Sequence, residues 1–118
     1  MNPVALVVDD ESAMRLLLRD YLEILGYDAD LAENGRSAIS LGARRAYEVA
    51  LIDLSLPDIS GIEVIRELRE RSPSTHCIVV SGNLRGHHDA ELAALGIRHY
   101  LEKPLGLETL RTAFADLA

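Results

Sequence analysis

Asp9, Asp10, Asp53, Ser81 and Lys103 are the residues whose types and places could do chemistry together. Asp9 and Asp10 follow the apolar run VALVV, and Asp53 closes VALI. Ser81 follows CIVV, and Lys103 comes just after a short run ending at Leu101. Taken singly, each has an ordinary explanation. An aspartate after such a run usually caps the next helix, Ser-Gly makes turns, and Lys-Pro sits in solvated loops. Taken together, three carboxylates in one place repel each other and raise one another's pKa unless a cation neutralises them. A hard divalent cation meets that demand, because carboxylates, a main-chain carbonyl and water are the ligands Mg²⁺ prefers, often beside a phosphate. No histidine or thiol stands at an equivalent place, so zinc is disfavoured. Asp53 differs from the other two in ending a fully apolar run that a turn follows. A carboxylate there can attack phosphorus and become an aspartyl phosphate. Lys103 can set a fixed positive charge against phosphoryl oxygens, and Ser81 can donate a hydroxyl to them.

These residues meet only if the elements before them run side by side. Short β-branched or apolar runs at Val4 to Val8, Ala29 to Ala32, Val49 to Leu54, Cys77 to Val80 and Arg98 to Leu101 read as strands, each followed by a helical pattern. Met14, Leu17, Leu18, Tyr21, Leu22 and Leu25 trace one apolar face that Gly26 stops. Ser37 to Arg45, Ile62 to Arg71 and Asp89 to Leu95 read as further helices, and Leu107, Leu110, Phe114 and Leu117 mark the last. The strand runs are apolar at nearly every position, as strands covered by helices on both faces must be. The expected fold class is therefore α/β, a doubly wound parallel sheet of five strands. Ligands of such folds bind beyond the carboxyl ends of the strands, where the five polar residues fall.

The chain has 118 residues, 12 basic against 19 acidic, and a formal net charge of -7. That length suits one domain, taken as residues 1–118, and area scaling predicts a folded surface of about 6,300 Å². The acid excess argues against direct nucleic-acid binding. The start MNPVALVVDDES resembles neither a signal peptide nor a membrane span, and the single Cys77 cannot form an internal disulfide. A soluble cytoplasmic setting without membrane contact is expected. With 4% aromatic residues, the core must be aliphatic.

VVDDES with the acidic pair, IDLSLPDISG with Asp53, Pro57 and Gly61, VVSG with Ser81, and YLEKP with Tyr100 and Lys103 occur in that order along the whole chain. In this the chain resembles the receiver domain of two-component response regulators, the CheY-like family. The resemblance implies a flavodoxin-like (βα)5 three-layer sandwich with strand order 2-1-3-4-5. It implies a signalling switch rather than an enzyme that turns over substrate. Asp53 would accept a phosphoryl group from a sensor histidine kinase or phosphotransfer protein. Mg²⁺, or Mn²⁺ in its place, would be held by Asp10, Asp53 and the Ser55 carbonyl, and by Asp9 through water. Lys103 and Ser81 would contact the phosphoryl group, Lys103-Pro104 would be a cis peptide, and Tyr100 would swing inward behind Ser81. The face made by the fourth helix, fifth strand and fifth helix would carry the signal to an effector or into a homodimer. Gly82 stands where the family generally has alanine, which leaves room for a phosphoryl group. Ser55 and Asn83 occupy places that tune phosphoryl hydrolysis, so exchanging both should change its lifetime and not the metal affinity.

Two other classes compete. One is a metal-dependent phosphotransfer enzyme or phosphatase of the haloacid dehalogenase type, which also uses an aspartate nucleophile; that class usually carries a second acid where this chain has Ser55. The other is an interaction module that is never phosphorylated, for which three converging carboxylates are unnecessary. His87-His88, His76 and His99 read as surface residues, since adjacent helical positions point different ways. Asp58 and Glu11 read as loop charges, with Glu11 able to assist a metal through water.

Overall fold

Uninterrupted apolar runs form the centre of the sheet. In the computed structural model, which describes residues 1–82 and 89–117, strands β1 (Val4–Val8), β3 (Val49–Ile52) and β4 (His76–Ser81) are buried at all but their first positions or throughout. Strands β2 (Asp28–Ala32) and β5 (Tyr100–Glu102) are more exposed and form the two edges of a parallel sheet ordered β2-β1-β3-β4-β5. The helices between and after them are α1 (Ser12–Ile24), α2 (Gly35–Arg44), α3 (Gly61–Arg71), α4 (Asp89–Ala94) and α5 (Leu107–Ala115). The expected doubly wound sheet and its strand order are present.

Alternate strand residues feed two cores. Leu6, Val8, Ala50, Ile52, Cys77 and Val79 point toward Ala38 of α2, Ile62, Val64, Ile65 and Leu68 of α3, and Leu92 of α4. Ala5, Val7, Val49, Leu51, Ile78 and Val80 point toward Leu18 and Leu22 of α1 and Leu110 and Ala113 of α5. Three layers result, and both faces of each central strand are apolar because both are covered. The accessible surface is 6342 Å², in line with the scaling for this mass. Cys77 is a buried free thiol. Among the described residues, no helix is long and apolar enough to cross a membrane.

Several boundaries differ from the sequence reading for local reasons. β3 ends at Ile52, not Leu54, because Asp53 turns back to accept the N–H of Ser55. β5 covers only Tyr100–Glu102, so Arg98 and His99 lie before it. α2 begins at Gly35, two residues early, with Asn34 Oδ1 accepting the Ser37 N–H as N-cap. α5 stops at Ala115, short of Leu117. Gly26 and Gly96 have φ of 93° and 76°, a conformation glycine adopts without strain, and there the chain leaves α1 and α4. Leu17, counted on the buried face of α1, is 38% exposed, as are Leu16 at 45% and Ile24 at 62%.

Candidate functional site

Strand register determines which side chains meet. Val8 pairs with both Ala32 and Ile52, and Ile52 pairs with Val79. One residue further on, the Asp9 N–H donates to Ala32 O (3.1 Å) and the Asp53 N–H to Val8 O (2.9 Å). The Lys103 N–H donates to Ser81 O at 2.9 Å. Parallel pairing thus delivers Asp9, Asp53, Ser81 and Lys103 to one rim, and Asp10, Glu11, Asp53, Ser55, Ser81, Gly82 and Lys103 line a cleft of about 370 Å³ there.

Asp9 and Asp53 are buried while Asp10 is exposed, yet each offers a carboxylate oxygen within 4.8 Å of the others. Lys103 Nζ lies 2.7 Å from Asp9 Oδ2, 3.0 Å from Asp53 Oδ2 and 3.3 Å from Glu11 Oε1. The remaining oxygens take main-chain donors: Asp9 Oδ1 accepts from Glu11 N–H (2.9 Å) and Asp53 Oδ1 from Ser55 N–H (3.0 Å). Burial pushes the Asp9 carboxyl above its usual range, against the pull of Lys103 and the Glu11 N–H. The Lys103 ammonium is itself penalised by burial, but Asp9 and Asp53 hold its pKa above the ordinary value. The aspartate carboxylates outnumber the one ammonium, and a divalent cation offsets that excess of negative charge. The all-oxygen donors and the exposed position of Asp10 suit a hard, partly hydrated ion such as Mg²⁺.

The loop after Asp53 is pressed onto its surroundings. A Cβ on Gly61 would lie 2.3 Å from Asp53 O and 2.7 Å from Leu54 Cα, so only glycine lets α3 start this close to the acidic strand end. Ser60 Oγ accepts from Ile62 N–H at 3.1 Å and caps the same helix. The Lys103-Pro104 peptide bond is cis. Tyr100 is 37% exposed and donates its hydroxyl to Ile97 O at 3.1 Å. A Cβ on Gly82 would meet nothing within 4 Å, so no described neighbour demands glycine there. Pro57 lies in the β3–α3 loop, which is exposed at that point; Asn83 and His87-His88 lie outside the described residues.

Four contacts have no signature in the local sequence. Glu11, read as a loop charge able to assist a metal through water, joins the Lys103 cluster. Arg15 donates Nη1 to Asp9 O at 2.7 Å. Asp58, also read as a loop charge, accepts from Gly35 and Arg36, which lie 23 and 22 residues away. His99 is partly buried and lies 3.6 Å from Asp116.

The family model for the response regulator receiver domain matches residues 5–115. This chain belongs to the response regulator receiver family. The receiver domain is 32% identical to the sensor protein EvgS of Escherichia coli (strain K12) over 112 residues, 95% of this chain and 9% of that one. It is 40% identical to the transcriptional regulatory protein ResD of Bacillus subtilis over 99 residues, 84% of this chain and 41% of ResD. It therefore spans less than half the length of either relative. Among solved structures, the response regulator TrrA of Thermotoga maritima, in complex with Mg²⁺ and BeF, matches with TM-score 0.85 and 30% identity, covering 98% of this chain and 99% of TrrA. Receiver domains are signalling modules of two-component systems.

Proposed function

We propose that this receiver domain, residues 1–118, is a phosphorylation switch whose phosphoacceptor is Asp53. The observation that carries the reading is the placement of the buried Asp53 carboxylate, with one oxygen 3.0 Å from Lys103 Nζ and the other fixed by the Ser55 N–H. Asp10, Asp53 and the Ser55 carbonyl would hold Mg²⁺ or Mn²⁺, with Asp9 acting through water. When bound, the metal supplies positive charge to the phosphoryl oxygens.

Asp53 attacks the phosphorus of a phosphohistidine on a sensor histidine kinase or phosphotransfer protein. The Asp53 O–P bond forms as the P–N bond breaks, and the imidazole leaves with the electron pair of that bond. Lys103 offsets charge on the phosphoryl oxygens, and Ser81, buried at the same rim, turns its hydroxyl toward them. Tyr100, half exposed now, moves inward behind Ser81. The new group brings about -1.5 to -2 charge, enough to shift the population of a loop already tied to the site. The response leaves through α4, β5 and α5 to an effector or a second copy. Water later attacks the phosphorus, the Asp53 O–P bond breaks, and inorganic phosphate leaves as the carboxylate returns; Ser55 and Asn83 set that lifetime. The chain's own chemistry ends there, without turnover of a separate substrate. Leu16, Leu17 and Ile24 leave apolar surface on α1, the helix that starts beside Asp10, for contact with the donor protein. The cytoplasm, where phosphohistidine donors work, is the setting this chemistry calls for.

Incubation with acetyl phosphate and Mg²⁺, followed by intact mass and NMR, tests the reading. One phosphoryl group should add, with shifts at Ser81 and Tyr100, and Asp53→Asn should abolish labelling. Labelling that survives in Asp53→Asn removes the assignment, and steady hydrolysis of varied phosphoesters indicates an enzyme instead.

A further inference from the structure

The segment joining Asp53 to α3 is held by a helix that takes no part in the site. Asp58 Oδ1 accepts from the N–H groups of Gly35 and Ile59, both at 2.8 Å, and Oδ2 accepts from Arg36 at 2.9 Å. One carboxylate thus binds two of the free amides at the start of α2 and one of its own loop. The Arg36 guanidinium adds little, at 4.0 Å and 78% exposed. Beside these bonds, Ile59 packs so closely on Gly35 that a Cβ there would lie 2.3 Å from Ile59 Cγ1. The start of the loop is fixed as well, because Gly61, the first residue of α3, packs against Asp53 O and Leu54 Cα. Between the Asp53–Leu54 contact and Asp58 lies Ser55, whose N–H orients Asp53 Oδ1.

A loop pinned at one end only can pivot about Asp53, and one pinned at both ends cannot. We infer that Asp58 is a positioning residue, which acts through the β3–α3 loop to hold the Ser55 main chain where the metal and Asp53 need it. The inference rests on the proposed metal and phosphoacceptor roles of Ser55 and Asp53. Asp58 touches neither group, so its effect belongs with the outer contacts that orient ligands, whose loss commonly weakens metal affinity about 10- to 100-fold. An ordinary helix cap would affect α2 and leave the metal alone. The two roles separate because α2 also has an independent cap, Asn34, whose Oδ1 accepts from Ser37 N–H at 2.8 Å and which, among the described residues, makes no side-chain hydrogen bond to the β3–α3 loop.

The experiment measures acetyl phosphate labelling against Mg²⁺ concentration in wild type, Asp58→Ala, Asp58→Asn and Asn34→Ala, with thermal melts of each. Asp58→Ala should raise the Mg²⁺ concentration for half-maximal labelling about tenfold or more, and saturating Mg²⁺ should restore the final extent. Asp58→Asn, which keeps an acceptor oxygen, should fall between. Asn34→Ala should lower the melting temperature and leave the Mg²⁺ dependence at the wild-type value. If Asp58→Ala keeps the wild-type Mg²⁺ dependence, or if Asn34→Ala shifts it equally, Asp58 is a helix cap and nothing more. Wild-type protein that takes no label under any Mg²⁺ concentration overturns the phosphoacceptor reading itself, a result distinct from either. Should Asp58→Ala fail to fold, Gly35→Ala perturbs the same anchor from the helix side, and the same Mg²⁺ shift is expected of it.

Discussion

Lys103 sets its ammonium between two carboxylates at the rim of the sheet. With Nζ at 2.7 and 3.0 Å from these two buried side chains, it is the counter-charge that Asp9 and Asp53 share. Removing one partner of a buried ionic group typically costs about 3 kcal/mol or more, because the other is left uncompensated. Lys103→Met should therefore lower the melting temperature in chelator, and added Mg²⁺ should raise it by more than it raises that of wild type. Equal Mg²⁺ shifts in the two proteins would show that the lysine is not the counter-ion. The sequence made the members of this cluster legible, since type and position after an apolar run were enough to single out Asp9, Asp10, Asp53, Ser81 and Lys103. It did not reveal Glu11 as a third acceptor for the lysine: that contact spans 92 residues, and no local pattern encodes it.

At the scale of elements, the connection between β3 and α3 does more than join them. The Asp58 carboxyl is pushed up by burial, but the N–H groups of Arg36, Gly35 and Ile59 outweigh this and hold it below its usual value of 3.8. A group with a depressed folded pKa stabilises the fold above its unfolded value and loses that contribution as pH falls through the folded one. The clasp on α2 is thus fully formed above pH 3.8 and weakens below it. Asp58→Asn has no such titration, so urea midpoints of the two proteins should converge as pH falls below 3.8. A gap that stays constant over that range would remove the carboxylate's role. Periodicity in the sequence found all five helices, yet placed the start of α2 at Ser37, because Gly35 and Arg36 are helical only through caps supplied by Asn34 and by a distant loop. Leu17 was misassigned for a related reason: α1 packs on one face of the sheet over a narrower stripe than its leucines cover.

Taken whole, the molecule is one sheet serving two cores, so neither face can come apart alone. Leu6 belongs to the core under α2, α3 and α4, and Leu110 to the core under α1 and α5; both are fully buried. Leu6→Ala and Leu110→Ala should each cost about 2 to 5 kcal/mol. Each should shift a single unfolding transition, followed by coincident far-ultraviolet circular dichroism and tyrosine fluorescence; probes that separate would mean two units. Alternation between the cores was readable from strand runs apolar at nearly every position, whereas the bounds of the short β5, read as Arg98 to Leu101 and observed as Tyr100–Glu102, were not, since an edge strand with one neighbour needs no such run. The acid excess that first served to set nucleic acid aside has a definite address in part, with Asp9, Asp10 and Asp53 gathered at one rim.

Parallel strands also give the molecule a reactive end and a remote one. The exposed turn at Ser74 enters β4 at the end opposite Ser81, roughly 20 Å away at 3.3 Å per residue. A fluorophore or an inserted tag carried at Ser74 therefore leaves the carboxylates untouched, which makes that turn the natural handle for immobilising the protein or reading its state optically.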